Sequence, residues 1–200
     1  MSRAPSASSA ASDEAPSTGL LLFGGDLAPY RRALGAVEAY AELGRRSVAA
    51  RVGDSIAFER EQYAAHALAW TFTYVEALRQ TLAWAERLAG QNAYGELERL
   101  LVQAAFGEYI AQLAGGIPLT QGEMARHGDL GLGHEALTTL FTAETSALVQ
   151  DGNTAPVRRR IAALIADGNF GDDGLGDESL TLIREQFRAF GAEKITPFAN

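Results

Sequence analysis

Gly131-x-Gly133-x-x-Ala136 is the first of several motifs in this sequence whose residue types and spacing could do chemistry. It matches a dinucleotide-binding fingerprint by letter. The fingerprint works only where a strand leads through a tight turn into the N-terminus of a helix, which then faces the pyrophosphate. Because no strand is predicted before Gly131, a loop that enters a helix accounts for these glycines without a ligand.

The acidic stretch from Asp167 to Glu178 has the length of a twelve-residue calcium-binding loop. Asp167, Asn169 and Glu178 occupy its first, third and twelfth positions. The sixth position needs glycine for a sharp turn and is Asp172 here, and the fifth is Gly171, which has no side-chain oxygen. A flexible acidic linker is the favoured interpretation.

The sequence has three histidines and no cysteine. His127 and His134 lie on either side of a glycine-rich loop, with Glu135 next to the second, but this spacing defines no metal geometry by itself. His66 falls in the middle of a predicted helix, where we expect it to be packed or partly exposed. The absence of cysteine excludes disulfides, thiolate zinc sites and cysteine nucleophiles.

Carboxylates on the predicted helices could in principle form a catalytic site inside a bundle. Glu76, Glu108 and Glu123 are the candidates, but a di-iron bundle needs Glu-x-x-His pairs and the sequence contains none. The sequence also lacks the Gly-x-Ser-x-Gly elbow of serine hydrolases. We therefore predict no catalytic, cofactor-binding or metal-binding residue in this chain.

The charge balance disfavours nucleic acid as a partner. Lys and Arg number 17 and Asp and Glu number 25, for a formal net charge of −8, and the densest basic run is residues 158–160. The apolar stretches are too short and too interrupted by charge to span a membrane. The first eighteen residues lack the apolar core of a secretory signal. We expect a cytoplasmic protein.

Periodicity along the chain predicts an all-α fold in four parts. Residues 1–19 are rich in Ser, Ala and Pro and are expected to be a disordered tail. Residues 20–166 are expected to form a helical bundle, 167–176 a linker, and 177–200 a separate final helix. No run of alternating polar and apolar residues predicts a sheet.

The bundle is predicted to contain five helices, the first two capped by Asp26 and Asp54. Residues 20–23 are expected to pack on it as an apolar segment, and residues 120–126 to form a short helical turn. The five helices are predicted over residues 26–50, 54–89, 95–114, 134–149 and 155–166.

The second predicted helix has the strongest pattern in the chain. Apolar and aromatic residues alternate spacings of four and three, a repeat of about 3.5 residues that is typical of the seam of a left-handed bundle. The seam residues are Tyr63, Ala67, Trp70, Tyr74, Ala77, Thr81, Trp84 and Leu88. Because aromatic rings bury large areas, this helix is expected to face several partners.

The final helix is predicted to be amphipathic, with Asp177 as its N-cap and Pro197 at its end. Its apolar face consists of Leu180, Ile183, Phe187 and Phe190. This face needs either the rest of the chain or a partner to cover it.

The final helix resembles the first helix of the flavin-dependent acyl-CoA dehydrogenases. Gly191 stands where that family commonly has alanine. The motif that carries the resemblance is Arg188-x-Phe190-x-x-Glu193-x-Ile195-x-Pro197-x-Ala199.

Two earlier segments, residues 65–88 and 106–132, resemble the N-terminal extension of methylsuccinyl-CoA dehydrogenases, which carry a helical domain ahead of the usual core. The resemblance implies a larger FAD enzyme that oxidises (2S)-methylsuccinyl-CoA to mesaconyl-CoA. It also implies an electron-transfer flavoprotein as electron acceptor and a homo-oligomeric enzyme. The residues for base, flavin and CoA would lie beyond Asn200, and the extension would serve packing and assembly.

Two alternatives stay open. The chain could be a free-standing helical interaction module, in which case the apolar face of the final helix packs back onto residues 63–88. It could also belong to an enzyme of the same family that acts on another short branched acyl-CoA. The position of the final helix separates the first alternative from the enzyme.

Overall fold

The computed structural model describes residues 19–53 and 55–199. The predicted tail over residues 1–18, the predicted cap Asp54 and Asn200 lie outside the described residues. The all-α class is confirmed, since the described residues are mostly helical and contain one two-stranded sheet.

Eight α-helices and two short strands follow one another along the described residues. They are α1 (Ala28–Arg51), α2 (Ser55–Arg60), α3 (Gln62–Gly90), α4 (Glu96–Gly115), β1 (Ile117–Pro118), β2 (Met124–Ala125), α5 (Leu137–Leu140), α6 (Ala143–Asp151), α7 (Ala155–Ala166) and α8 (Glu178–Phe190). Two 3₁₀ turns, His134–Ala136 and Thr196–Phe198, and a π-helical turn, Gly191–Ile195, complete the described elements.

The predicted helix over residues 54–89 is divided into α2 and α3 at Glu61, whose φ of −100° and ψ of 16° leave the helical region. The residues of α3 that face the core lie mostly one position away from the predicted seam. They are Ala64, Ala67, Thr71, Val75, Leu78, Leu82, Ala85 and Leu88. Trp70, Tyr74 and Trp84 are half-buried and pack against the edge of the core.

The segment after α4 is a hairpin, so the helical turn predicted over residues 120–126 is wrong. β1 and β2 pair antiparallel, with Ile117 opposite Ala125. The N–H of Leu119 donates to the carbonyl of Glu123 at 2.9 Å and closes the turn. Pro118 cannot continue a helical ladder, and Gly116, with φ of +131°, turns the chain away from α4.

The helix predicted over residues 134–149 is interrupted between α5 and α6. Thr142 Oγ1 accepts the N–H of Thr145 at 3.3 Å, and Thr145 Oγ1 accepts the N–H of Thr142 at 2.7 Å, which starts a new helix at Ala143. Thr145 Oγ1 also donates to the carbonyl of Leu140 at 2.7 Å. These side-chain bonds compete with a continuous helical backbone.

The core lies between α1, α3, α4 and α6, and Tyr40 and Phe106 are its largest fully buried side chains. α4 and α6 approach closely because Gly107 meets the end of α6 without a side chain. The buried amide of Gln103 accepts the N–H of Leu22 at 2.8 Å and donates to the carbonyl of Leu20 at 2.9 Å. The expected packing of residues 20–23 on the bundle is thereby confirmed.

Candidate interaction surface

Helix α8 begins where the sequence predicts it. Asp177 Oδ1 accepts the N–H groups of Ser179 at 2.8 Å and Leu180 at 3.3 Å, so the predicted N-cap is confirmed. Beyond Phe190 the chain continues as the π-helical turn and the 3₁₀ turn, with Pro197 inside the latter. The helical segment thus ends at the predicted proline.

The predicted apolar face of α8 is open to solvent. Phe187 is 73% exposed and Phe190 is 56% exposed, and Leu180 and Ile183 are exposed as well. None of the thirteen residues of α8 is buried. A free-standing module would require this face to pack on residues 63–88, and it does not. A contiguous apolar surface of this kind marks a contact with another surface.

A second apolar patch runs along α2 and α3. Ile56 is 69% exposed, and Phe58, Tyr63 and Phe72 are also exposed. Phe58, Tyr63 and His66 line a shallow hollow on this patch. Its outer edge is charged and polar, since Arg79 pairs with both Glu38 and Glu76.

The linker after α7 contacts the bundle where it passes α3 and α4. Trp84 Nε1 donates to the carbonyl of Asp172 at 3.0 Å, and the N–H of Asp172 donates to Glu98 Oε1 at 3.1 Å. Gly174 is buried, and its carbonyl accepts Gln91 Nε2 at 3.4 Å. The bundle therefore holds this segment through its backbone.

Asn and Asp side chains of the linker accept hydrogen bonds from its own backbone. Asn169 Oδ1 accepts the N–H of Gly171 at 3.0 Å, and Asp172 Oδ1 accepts the N–H of Gly174 at 2.7 Å. Across the described ranges no group of three or more His, Asp or Glu side chains is placed to hold a metal ion. The local hydrogen bonds explain the acidic composition as turn chemistry.

The structure brings two of the three histidines together. The ring centroids of His127 and His134 are 5.8 Å apart, and Nδ1 of His127 is buried without a hydrogen-bond partner among the described residues. The Glu135 side chain folds over Gly133 instead of joining the pair. His66 lies elsewhere, where its Nε2 accepts Trp70 Nε1 at 3.2 Å.

The glycines of the fingerprint-like motif serve a loop that rests on α1. Gly131 has φ of +71°, and its carbonyl accepts Ser47 Oγ at 3.2 Å. A Cβ added to Gly131 would lie 2.7 Å from the same hydroxyl, so the close approach requires glycine. Gly133 precedes only a three-residue 3₁₀ turn, which ends at Ala136. The glycines of this motif are therefore explained by the packing of the loop against α1.

The three candidate carboxylates lie on different elements and have separate partners. Hydrogen bonds from Gln80 and Arg79 lower the pKa of exposed Glu76. Glu108 on α4 accepts Gln112 Nε2 at 2.6 Å and Asn153 Nδ2 at 2.9 Å. Glu123 is exposed in the hairpin turn. The structure does not assemble them into one site.

Sequence reasoning missed Glu98, which is only 4% exposed. It lies in the first turn of α4, where the helix dipole favours a negative charge. An acidic residue near the start of a helix can be recognised in the sequence. The burial of Glu98 could not be predicted, because Asp172, which donates to it, lies 74 positions further along the chain.

Comparison with known proteins gives one informative match. The sequence is 45% identical over 194 residues to the (2S)-methylsuccinyl-CoA dehydrogenase of Cereibacter sphaeroides, and the match covers 92% of this chain and 34% of that protein. This chain is similar to an acyl-CoA dehydrogenase. It spans about a third of the length of the curated relative that it matches.

The resemblance inferred from residues 65–88 and 106–132 is confirmed by this identity, which extends over nearly the whole chain. No protein-family model matches the chain. Among the described residues, no helix combines the length and the apolar character needed to cross a membrane.

Proposed function

We propose that this chain is the N-terminal part of a flavin-dependent acyl-CoA dehydrogenase that oxidises (2S)-methylsuccinyl-CoA to mesaconyl-CoA. The observation that carries the proposal is the 45% identity over 92% of the chain to a dehydrogenase of that name. The chain accounts for about a third of that relative, so the remaining residues of the enzyme supply the chemistry.

The reaction requires removal of a proton and a hydride from adjacent carbons of the acyl group. In an enzyme of this kind a glutamate would serve as the base for the proton that the thioester acidifies, and a bound flavin would supply the two-electron oxidation. The hollows near Phe58, Phe72 and Phe187 are shallow and are lined by few residues, a poor fit for a flavin. We therefore assign no residue of this chain to the base, the flavin or the CoA.

We further propose that residues 20–166 form an extension domain that packs on the catalytic core and shapes its assembly, with residues 167–176 as linker and 177–200 as the first helix of the core. The exposed apolar faces of α8 and of α2–α3 support this role, because such surfaces are rarely left in water. The enzyme would be a cytoplasmic homo-oligomer that passes electrons to an electron-transfer flavoprotein.

The activity is tested on the complete natural polypeptide, by its absorption spectrum before and after addition of methylsuccinyl-CoA. A flavin band that bleaches supports both the family and the substrate. Bleaching only with another short branched acyl-CoA keeps the family and rejects the substrate. A complete polypeptide without flavin overturns the proposal.

The assembly role is tested on the same polypeptide by removing residues 1–174 and measuring mass in solution and turnover. Because loss of a whole domain can prevent folding, the double substitution Ile56→Glu and Phe58→Glu gives a second test on the exposed patch. Phe170→Glu is the matched control, since Phe170 is 80% exposed and lies in the linker. Unchanged mass and turnover in both altered proteins would refute the assembly role.

A further inference from the structure

Residues 171–174, here called the strap, are tied to the bundle by both backbone polar groups of Asp172. The N–H and the carbonyl of Asp172 are both engaged, the first by Glu98 Oε1 at 3.1 Å and the second by Trp84 Nε1 at 3.0 Å. These partners come from α4 and α3. A surface loop that only joined two helices would leave these groups to water.

Glu98 is the buried anchor of the strap. Its carboxylate is almost fully removed from solvent, and a buried charge is tolerated only when it is hydrogen-bonded. Glycines on both sides make room for it. A Cβ added to Gly95 would lie 2.8 Å from Oε2, and one added to Gly171 would lie 3.0 Å from Oε1. Both the bundle and the strap are therefore shaped around this carboxylate.

Gly174 fixes the far end of the strap. It is buried with φ of +68°, and a Cβ added there would lie 3.0 Å from Cδ2 of Leu88 and 3.7 Å from Cδ1 of Trp84. A side chain at this position would be strained by its backbone conformation and crowded by Leu88. The close approach lets the carbonyl of Gly174 reach the Gln91 side chain.

The strap is in turn connected to α8. The carboxylate of Asp173 accepts the N–H of Leu175 at 3.0 Å and forms an ion pair with Arg184 on α8. These two interactions lower the pKa of Asp173, the backbone hydrogen bond being the larger cause. No residue of α8 is buried, and this ion pair links the helix to the strap.

We infer that Glu98 is a positioning residue: by accepting the N–H of Asp172 it holds the strap in one conformation against α3 and α4, and the strap is in turn linked to α8 through Asp173 and Arg184. These contacts lie within residues 84–184 and do not depend on the proposed enzyme activity. Glu98 bonds to the backbone N–H of Asp172, so the side chain at position 98 must offer an oxygen acceptor.

Amide hydrogen exchange measured by NMR on this chain tests the inference. In the unaltered chain the amide of Asp172 is expected to be protected. Glu98→Ala should speed its exchange by about ten- to a hundredfold, as expected for loss of a hydrogen bond to a charged group, while the amide of Ile110 in the core keeps its rate. Glu98→Gln keeps an oxygen acceptor and should restore most of the protection.

Glu108→Ala is the matched control, because Glu108 is also a partly buried carboxylate of α4 but bonds to Gln112 and Asn153. It should leave exchange in the strap unchanged. An unprotected Asp172 amide in the unaltered chain overturns the inference. Equal acceleration of the Asp172 and Ile110 amides in Glu98→Ala also overturns it, because that result is global destabilisation.

Fluorescence gives a second readout. Trp70 and Trp84 are the two tryptophans, so Trp70→Phe leaves Trp84 as the single indole reporter. In that background Glu98→Ala should shift the emission of Trp84 to longer wavelength and increase its quenching by acrylamide. If Glu98→Ala does not fold, Glu98→Asp keeps the charge but shortens the side chain by one methylene, which withdraws the acceptor from the N–H of Asp172. Faster exchange of the Asp172 amide in that variant supports the inference, and unchanged exchange refutes it.

Discussion

Replacing Gly107 with alanine should destabilise the bundle even though alanine is the better helix former. A Cβ at Gly107 would lie 2.6 Å from the carbonyl oxygen of Leu148 and 3.1 Å from Cα of Gly152, and both are backbone atoms. Restoring ordinary contact would require α4 and α6 to separate by roughly 0.5–1 Å, at a cost of about 3 kcal/mol. Helix propensity returns about 1 kcal/mol, so the net loss should be about 2 kcal/mol.

Gly35→Ala is the matched control for this substitution. Gly35 is exposed in the interior of α1, and no described atom lies within 4 Å of an added Cβ. Only the propensity difference remains, so the free energy of unfolding should rise by about 1 kcal/mol. Urea denaturation followed by far-UV circular dichroism should therefore place the two variants about 3 kcal/mol apart. A Gly107→Ala protein as stable as the unaltered chain would refute the close contact of α4 with α6.

Three further predictions concern the amide, the apolar face and the buried phenols. Gln103→Leu should lower the free energy of unfolding by about 2–4 kcal/mol in urea, because the N–H of Leu22 loses its acceptor; a loss below about 1 kcal/mol would contradict this. Phe187→Ser should change the stability of this chain by less than about 0.5 kcal/mol and reduce binding of an apolar dye, since the ring is 73% exposed; a large loss of stability would show that the ring is covered. Stability should fall as the pH rises from 10.0 to about 12, because burial raises the pKa of Tyr40 over that range and the unfolded chain ionises first. Tyr40→Phe should flatten the alkaline part of the curve, and an unchanged curve would count against the buried phenol.

Helix ends that depend on local chemistry could be predicted from the sequence. Asp177 caps α8, and α7 spans the predicted residues 155–166, with proline in its first turn. Thr142 shows the limit of such signals. It pairs reciprocally with Thr145, where the usual capping box has Glu or Gln, and the break before α6 was therefore missed.

Burial inside a helix depends on what packs against it, which a single pattern does not contain. The aromatic rings of Trp70 and Trp84 suggested the core-facing side of α3, yet small and aliphatic residues such as Thr71 and Ala85 occupy that side. The rings fit at the edge of the core, where there is space for them. The strap was missed for a related reason, because the side chains that hold it belong to helices far away in sequence.

The residues that form the apolar face of α8 could be predicted from their spacing, but the exposure of that face could not. Spacing places Leu180, Ile183 and Phe187 on one side of a helix in either interpretation. Only the structure shows that this side is open to solvent. The sequence thus predicted which residues form the candidate surface. The tertiary structure shows that no other described element covers it.

The strap gives α8 the geometry of a lever. Thirteen residues at about 1.5 Å each make an arm of roughly 20 Å, whose base follows the strap that is bonded at Asp172. A reorientation of about 10° at the base of the arm would carry Phe190 through roughly 3.5 Å, close to the width of a methyl group. Small adjustments between the ends of α3 and α4 are therefore magnified at the tip of the arm.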